Sequence, residues 1–363
     1  MTKVALNDIL DLTVESAIDG RVSNRNVQRY ASLEPEHLVP VEALVDGEVI
    51  GLVTETVQSH VRIAEAVRTR VLRNGADRLI ERKLTREDAF VGELLTLSVQ
   101  AGEPATVEKI AAIYTSRDQA ISEPGQAAFL WAARAPTFEE LLVRHKTAWR
   151  HIWQRCRIEI DVGERETSEI LDLHIFHLLQ TVSESSVGVD VGVPARGLHG
   201  EGYRGHIFWD ELLIFPFLNL RFPAITRALL LYRYRRLPEA RWAAREAGFA
   251  GAMYPWQSGS DGRNETPRQL FNPRSGRWIP DNSWQQQHVG IAVAYNVWLY
   301  YQVTDDLEFM SSYGAELIIE IARFFASIAK YDRARDRYEI RGVMGPGRIS
   351  RWLPRPEGAG PGQ

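Results

Sequence analysis

The chain holds a single cysteine, Cys156, so it cannot close an internal disulfide. Cys156 stands among apolar neighbours in a helical stretch, which predicts a plain buried thiol. Charge of one sign is also missing. Lys plus Arg is 43 against Asp plus Glu at 47, a net charge of -4, which gives no footing for a nucleic-acid partner. No apolar run approaches the ~20 residues of a membrane helix, and MTKVALNDIL lacks a charged-then-apolar signal pattern. The expectation is a soluble, cytoplasmic protein with no membrane partner. The nine histidines show no HxxxH or HExxH spacing, so neither a metal nor another cofactor is expected.

What is present starts with length and tryptophan. A chain of 363 residues predicts two domains. Nine of the ten tryptophans fall between Trp149 and Trp352. Aromatic residues concentrate where flat, partly polar ligands bind, but they also fill helical cores. Residues 1–135 read as an antiparallel sheet domain. Leu95, Leu97 and Val99 alternate with Thr96, Ser98 and Gln100, and Asp19-Gly20 and Asp46-Gly47 each sit between β-rich runs as hairpin signals. The pattern changes at Pro136. Thr137 and Glu140 form a capping box, and Phe138, Leu141, Leu142, His145, Trp149 and Ile152 follow at helical spacing, so 136–164 reads as a helical linker. From 165 to 344 helices are predicted at Ile170–Gln180, Trp209–Leu220, Ala224–Arg235, Pro238–Phe249, Val289–Gln302 and Tyr313–Lys330, with Arg and Glu on their outer faces.

Two loops in this half, 181–208 and 250–287, are long and rich in Gly, Pro, Ser and Trp. Long irregular loops in a compact domain usually carry function. The first closes on ARGLHGEGYRGHIFWD, where Asp210 reads equally as the N-cap of a helix or as a ligand-facing carboxylate. The second contains GAMYPWQSGSDGRNETP, in which Trp256 follows a proline and precedes small hydroxyl and amide residues. That composition suits a sugar, whose ring packs on an indole while its hydroxyls meet short polar side chains, and it also suits an ordinary Gly-rich surface loop.

ARGLHGEGYRGHIFWDELLIFPF, GAMYPWQSGSDGRNETP and QHVGIAVAYNVWLYYQVTDD, in this order, resemble the opening half of the catalytic domain of glycoside hydrolase family 65, the maltose, trehalose and kojibiose phosphorylase group. SAIDGRVSNRNVQRYASLEPEHL resembles part of that family's preceding β-sandwich region. The resemblance implies an antiparallel β-sandwich, a helical linker and an incomplete (α/α) barrel of six helical hairpins. It implies that Trp209, Asp210 and Trp256 hold the glucosyl ring of an α-linked disaccharide. An Asp suits this role because a carboxylate accepts two charge-assisted hydrogen bonds from adjacent hydroxyls. It also implies inverting attack on that sugar, by inorganic phosphate in the phosphorylases or by water activated by a second carboxylate in the hydrolases. The sequence leaves a homodimer open.

The resemblance places the family's general-acid glutamate in a GPDE-type motif soon after YEIRGVMGP, where this chain has Gly347 and Arg348. An Arg cannot donate a proton at neutral pH. No catalytic residue is therefore assigned, and the family's Lys-Gln and Ser-rich phosphate motifs belong further downstream. Glu201, Glu211, Asp261 and Glu265 are weighed as substitutes and read instead as structural partners of Arg196, Arg204 or Arg263. Residues 345–363 contain nine Gly or Pro, the composition of a disordered tail, and read as a frameshift product. The codons GGA CGA ATT TCA CGA TGG, read one base later, begin Asp-Glu-Phe-His. The expectation is a truncated, inactive chain that folds poorly. The alternative is a non-catalytic carbohydrate-binding protein that keeps the Trp-Asp pocket. Another (α/α) barrel class, of glucoamylase or trehalase type, is disfavoured by the FWD and YPW motifs.

Overall fold

The computed structural model describes residues 10–25, 27–30, 33–100, 102–160, 165–198 and 202–345. The expectations for Glu201, for Arg348 and for the rest of the tail after Gly345 lie outside the described residues. The chain divides into two compact units, one of Met1–Arg25 with Leu33–Arg155 and one of Asn26–Ser32 with Cys156–Gln363.

The first unit is antiparallel throughout. Its strands are β1 (Leu10–Asp19), β2 (Leu38–Asp46), β3 (Val49–Thr56), β4 (Arg62–Arg73), β5 (Ala76–Arg78), β6 (Arg82–Glu87), β7 (Phe90–Val99) and β8 (Ala105–Thr115). One sheet runs β1-β7-β6; the other runs β2-β3-β4-β5, with β8 on the free edge of β4. Ile18 of β1 and Val91 of β7 meet Ile50, Leu52 and Val67 of the larger sheet in one buried cluster, the packing of a sandwich. The alternation read at Leu95 and Leu97 is real, since both are buried, at 0% and 3% exposure, in a neighbouring cluster with Val71 of β4. Asp46-Gly47 makes the β2–β3 turn, with Gly47 at φ +56. Asp19-Gly20 makes no hairpin, because β1 pairs with β7 far along the chain and not with its successor.

The stretch to residue 135 is not all strand. Helix α1 (Pro124–Ala133) covers the outer face of the larger sheet, its Ala128 and Ala132 packing on Val49, Val53, Ala64 and Ala66. Glu123 caps it by accepting from the Gly125 and Gln126 amides, Pro124 starts it, and the Arg68 guanidinium donates to the Ala133 and Ala135 carbonyls at its end. Helix α2 (Phe138–Cys156) starts with the expected reciprocal box, the Thr137 amide donating to Glu140 at 2.9 Å and the Glu140 amide to the Thr137 hydroxyl at 3.3 Å. Glu108 of β8 adds a carboxylate to this helix start, accepting from the Phe138 amide at 2.8 Å and from Arg70 Nε at 2.9 Å. Burial works against its charge, and these two donors hold its carboxyl below the ordinary range.

The second unit is mainly helical: α3 (Arg165–Thr181), α4 (Glu211–Arg221), α5 (Pro223–Arg235), α6 (Leu237–Glu246), α7 (His288–Thr304) and α8 (Ala315–Ile328). Helix α7 packs against α4, α5 and α8. Prolines set the boundaries, with Pro223 in the first turn of α5 and Pro238 in that of α6, where the missing amide costs nothing. The last predicted helix starts earlier than its apolar spacing suggests: the helical run opens at Leu307, after the Asp306 cap, and passes through a single π-turn over Met310–Gly314 into α8. The second long loop is not wholly irregular either. It contains a hairpin of β9 (Gln269–Asn272) and β10 (Arg277–Pro280), and a further hairpin of β11 (Ala329–Asp332) and β12 (Arg337–Ile340) follows α8. Cys156 is fully buried. No described helix is long and apolar enough to cross a membrane.

Candidate functional site

The two long loops are joined by backbone pairing. Ile207 and Ser258 exchange amide-to-carbonyl hydrogen bonds of 3.0 Å each way in an antiparallel bridge, and further bridges link Pro194 to Ile207 and Ser258 to Asn264. In this register Trp209, two residues after Ile207, falls opposite Trp256, two residues before Ser258. Their ring centroids lie 6.3 Å apart at 48°.

Side chains reinforce the bridge. Arg204 donates to the Glu265 carbonyl at 2.7 Å, and His206 Nδ1 meets Gln257 Oε1 at 3.1 Å. Burial, with Arg204 nearby, pushes the His206 imidazole below its usual range. The Tyr232 hydroxyl donates to the Gly259 carbonyl at 2.6 Å and so accepts its 2.9 Å bond from Ser258. Arg236 clamps Asp190 of the first loop and the Ser260 carbonyl of the second.

Asp210 takes the N-cap position of α4 but makes no side-chain cap hydrogen bond to it. Among the described residues its carboxylate has no side-chain hydrogen bond and no cation partner, and half-burial pushes its carboxyl up from the ordinary range. The next residue is the opposite case. Glu211, at 2% exposure, receives Arg233 Nε at 3.0 Å and Nη2 at 2.8 Å, and Arg233 also donates to the Phe208 carbonyl at 2.6 Å. Burial pushes the Glu211 carboxyl up against the pull of Arg233. This pair fixes the start of α4, and with it Trp209 and Asp210.

The sequence expected Glu211 to pair with an arginine of the loops and arginines to sit on outer faces. Arg233 is instead buried at 1% exposure, because the start of α4 presents a buried carboxylate that needs a cation. Asp261 does pair with Arg263, at 2.6 Å, while Glu265 meets Arg204 only through its main chain.

The third ring of the cluster is His288, the first residue of α7, with centroids 4.7 Å from Trp209 and 5.2 Å from Trp256. Sequence reasoning quoted its segment without assigning it; a lone His opening an apolar helix was the available signal. Neither ring nitrogen finds a well-formed hydrogen-bond partner, and burial holds the imidazole below its usual range, with the nearby Met344 main chain opposing. A cavity of about 280 Å³ lies elsewhere on the second loop, between Trp242 of α6 and Pro255, Asn264 and Gln287. None of Trp209, Asp210 and Trp256 lines it.

Comparison with known proteins agrees across both units. Residues 1–152 match the family profile described as the glycosyl hydrolase family 65 N-terminal domain, and residues 172–351 match the family's central catalytic domain. An uncharacterized glycosyl hydrolase of Mycobacterium tuberculosis is 47% identical over 91% of this chain and 25% of its own length. A kojibiose phosphorylase of Caldanaerobacter subterraneus subsp. tengcongensis is 34% identical over 92% of this chain and 44% of its own. A trehalose 6-phosphate phosphorylase of Lactococcus lactis is 33% identical over 96% of this chain and 44% of its own. The chain thus spans less than half the length of these relatives. A solved candidate kojibiose phosphorylase from the human microbiome shares the fold, with a TM-score of 0.76 at 21% identity over 94% of this chain and 42% of that one. With a profile of the same family on each unit and relatives aligned across nearly all of it, the chain belongs to glycosyl hydrolase family 65.

Proposed function

We propose that this chain binds the glucosyl ring of an α-linked disaccharide at Trp209, Asp210 and Trp256, within family 65 chemistry in which phosphate or water attacks the anomeric carbon with inversion. The observation that carries the reading is the pair of indoles 6.3 Å apart, with a half-buried carboxylate, free of any protein cation among the described residues, on the residue that follows Trp209. An indole face takes up the apolar face of a hexose, and the Asp210 oxygens accept from vicinal hydroxyls. Kojibiose, maltose and trehalose-type sugars are the candidate substrates, with inorganic phosphate as co-substrate. The helices α4 to α8 read as the first hairpins of an (α/α) barrel.

Arg348 favours a second reading for this chain alone, sugar binding without turnover. A guanidinium cannot protonate the glycosidic oxygen, and of the carboxylates weighed as substitutes within the described residues Glu211 is engaged with Arg233 and Asp261 with Arg263, while Glu265 meets Arg204 through its main chain. The test is a tryptophan-fluorescence titration of the purified chain with kojibiose and maltose, run beside an assay for phosphate-dependent release of glucose 1-phosphate. Binding that W256A abolishes, without release, is expected. If no sugar binds, or W256A and D210N bind as the parent does, the site is wrong; release of glucose 1-phosphate overturns the binding-only reading.

A further inference from the structure

The two indoles do not fix each other. At 6.3 Å and 48° they are too far apart and too oblique to stack, and each meets the His288 ring more closely than it meets the other. The Trp209 contact is edge-to-face at 75° and the Trp256 contact is tilted at 58°. Offset and edge-on geometries at these separations are the favoured ones for aromatic pairs.

The three rings also differ in what holds them. Trp209 lies in an irregular segment just before α4 and Trp256 well inside the second long loop, whereas His288 opens α7, whose next residues Val289 and Gly290 are buried. Neither nitrogen of the His288 ring finds a well-formed hydrogen-bond partner, so its place is set chiefly by its helix and by aromatic contact, with the Met344 main chain nearby. Burial holds the imidazole below its usual range. Trp256 also meets Phe208, edge-to-face at 5.3 Å.

We infer that His288 is a positioning residue: the ring, carried on a rigid helix, against which Trp209 and Trp256 take up the orientation that receives the sugar. The inference rests on the proposal that these indoles bind the sugar. His288 acts through them and takes no part in bond making.

The experiment compares H288A, H288N and H288F in the full chain by near-UV circular dichroism of the indoles and by fluorescence titration with kojibiose. H288A and H288N are expected to change the indole signal and to weaken binding about tenfold, the worth of an aromatic pair. H288F is expected to restore both, a rescue that loss of general stability would not show. If H288A does not fold, H288N against H288F carries the same comparison of polarity against ring. Parent-like spectra and affinity in H288N, or an H288F no better than H288N, would overturn the inference. Should the parent chain bind no kojibiose, the sugar reading fails by itself, and the indole spectra still decide whether His288 orders the pair.

Discussion

Asp210 and Glu211 are adjacent carboxylates with opposite fates. Glu211 is spent on Arg233 and on the start of α4, whereas Asp210 is left half-buried with no cation partner among the described residues. Its raised folded pKa means that the native state binds the proton more tightly than the unfolded chain does. The stability linked to Asp210 is therefore present below the ordinary value of 3.8 and is lost as pH rises through the raised folded value. Sugar binding has the opposite need, since the charged form accepts the stronger hydrogen bonds. Asp210→Asn is expected to keep or raise the melting temperature while weakening kojibiose binding ten- to a hundredfold, the range set by ~1.5–3 kcal/mol for hydrogen bonds to a charged group. Parent affinity is expected to fall as pH drops through the raised carboxyl pKa. Thermal scans and fluorescence titrations across acid pH check both; an Asn variant that melts lower and binds normally would show that Asp210 is structural.

At the scale of elements, the loop that carries Trp256 is anchored at its start by Gly251, at φ +75. A β-carbon there would stand 2.2 Å from the Glu320 carbonyl oxygen and 2.4 Å from the Phe324 amide of α8, and backbone atoms cannot yield as a side-chain tip does. Gly251→Ala is expected to destabilise by about 2 kcal/mol or more, read as a lowered urea midpoint. A midpoint within error of the parent would mean that the loop can swing clear of α8. Elements of this kind differ in how openly the sequence announces them. Strand β7 is plain from alternation, and α2 from Thr137 and Glu140. Helix α1 escapes a search for periodicity because GQAAFLWAA has no polar face, yet Glu123-Pro124 before it is a start signal. The site divides the same way. Trp209, Asp210 and Trp256 stand out by residue type, but the Ile207–Ser258 register that sets the two indoles opposite each other, the Arg233 that locks Glu211 and the His288 ring all depend on long-range pairing, which no local spacing encodes.

For the molecule as a whole, α7 sets the last expectation. One side of it, with Val289, Val293, Asn296 and Val297, is buried in the second unit. On the other side Ile291, Tyr295 and Trp298, at 54%, 51% and 47% exposure, repeat at helical spacing along one stripe. A helix apolar all round belongs in a core, and a stripe of this kind in water favours any contact that covers it. Leu213 and Leu220 of α4, at 81% and 72%, present a similar row seven residues apart. The isolated chain is therefore expected to self-associate at micromolar concentration. Sedimentation velocity over a hundredfold dilution series would read this as a rising sedimentation coefficient. Replacing Ile291 and Trp298 with Gln is expected to weaken association at least tenfold while leaving the buried side of α7 untouched, on ~25 cal/mol of transfer free energy per Å² of apolar surface covered. A parent chain that stays monomeric across the series, with sharp cooperative unfolding, would show that the stripe is tolerated in water and that the second unit needs no further cover.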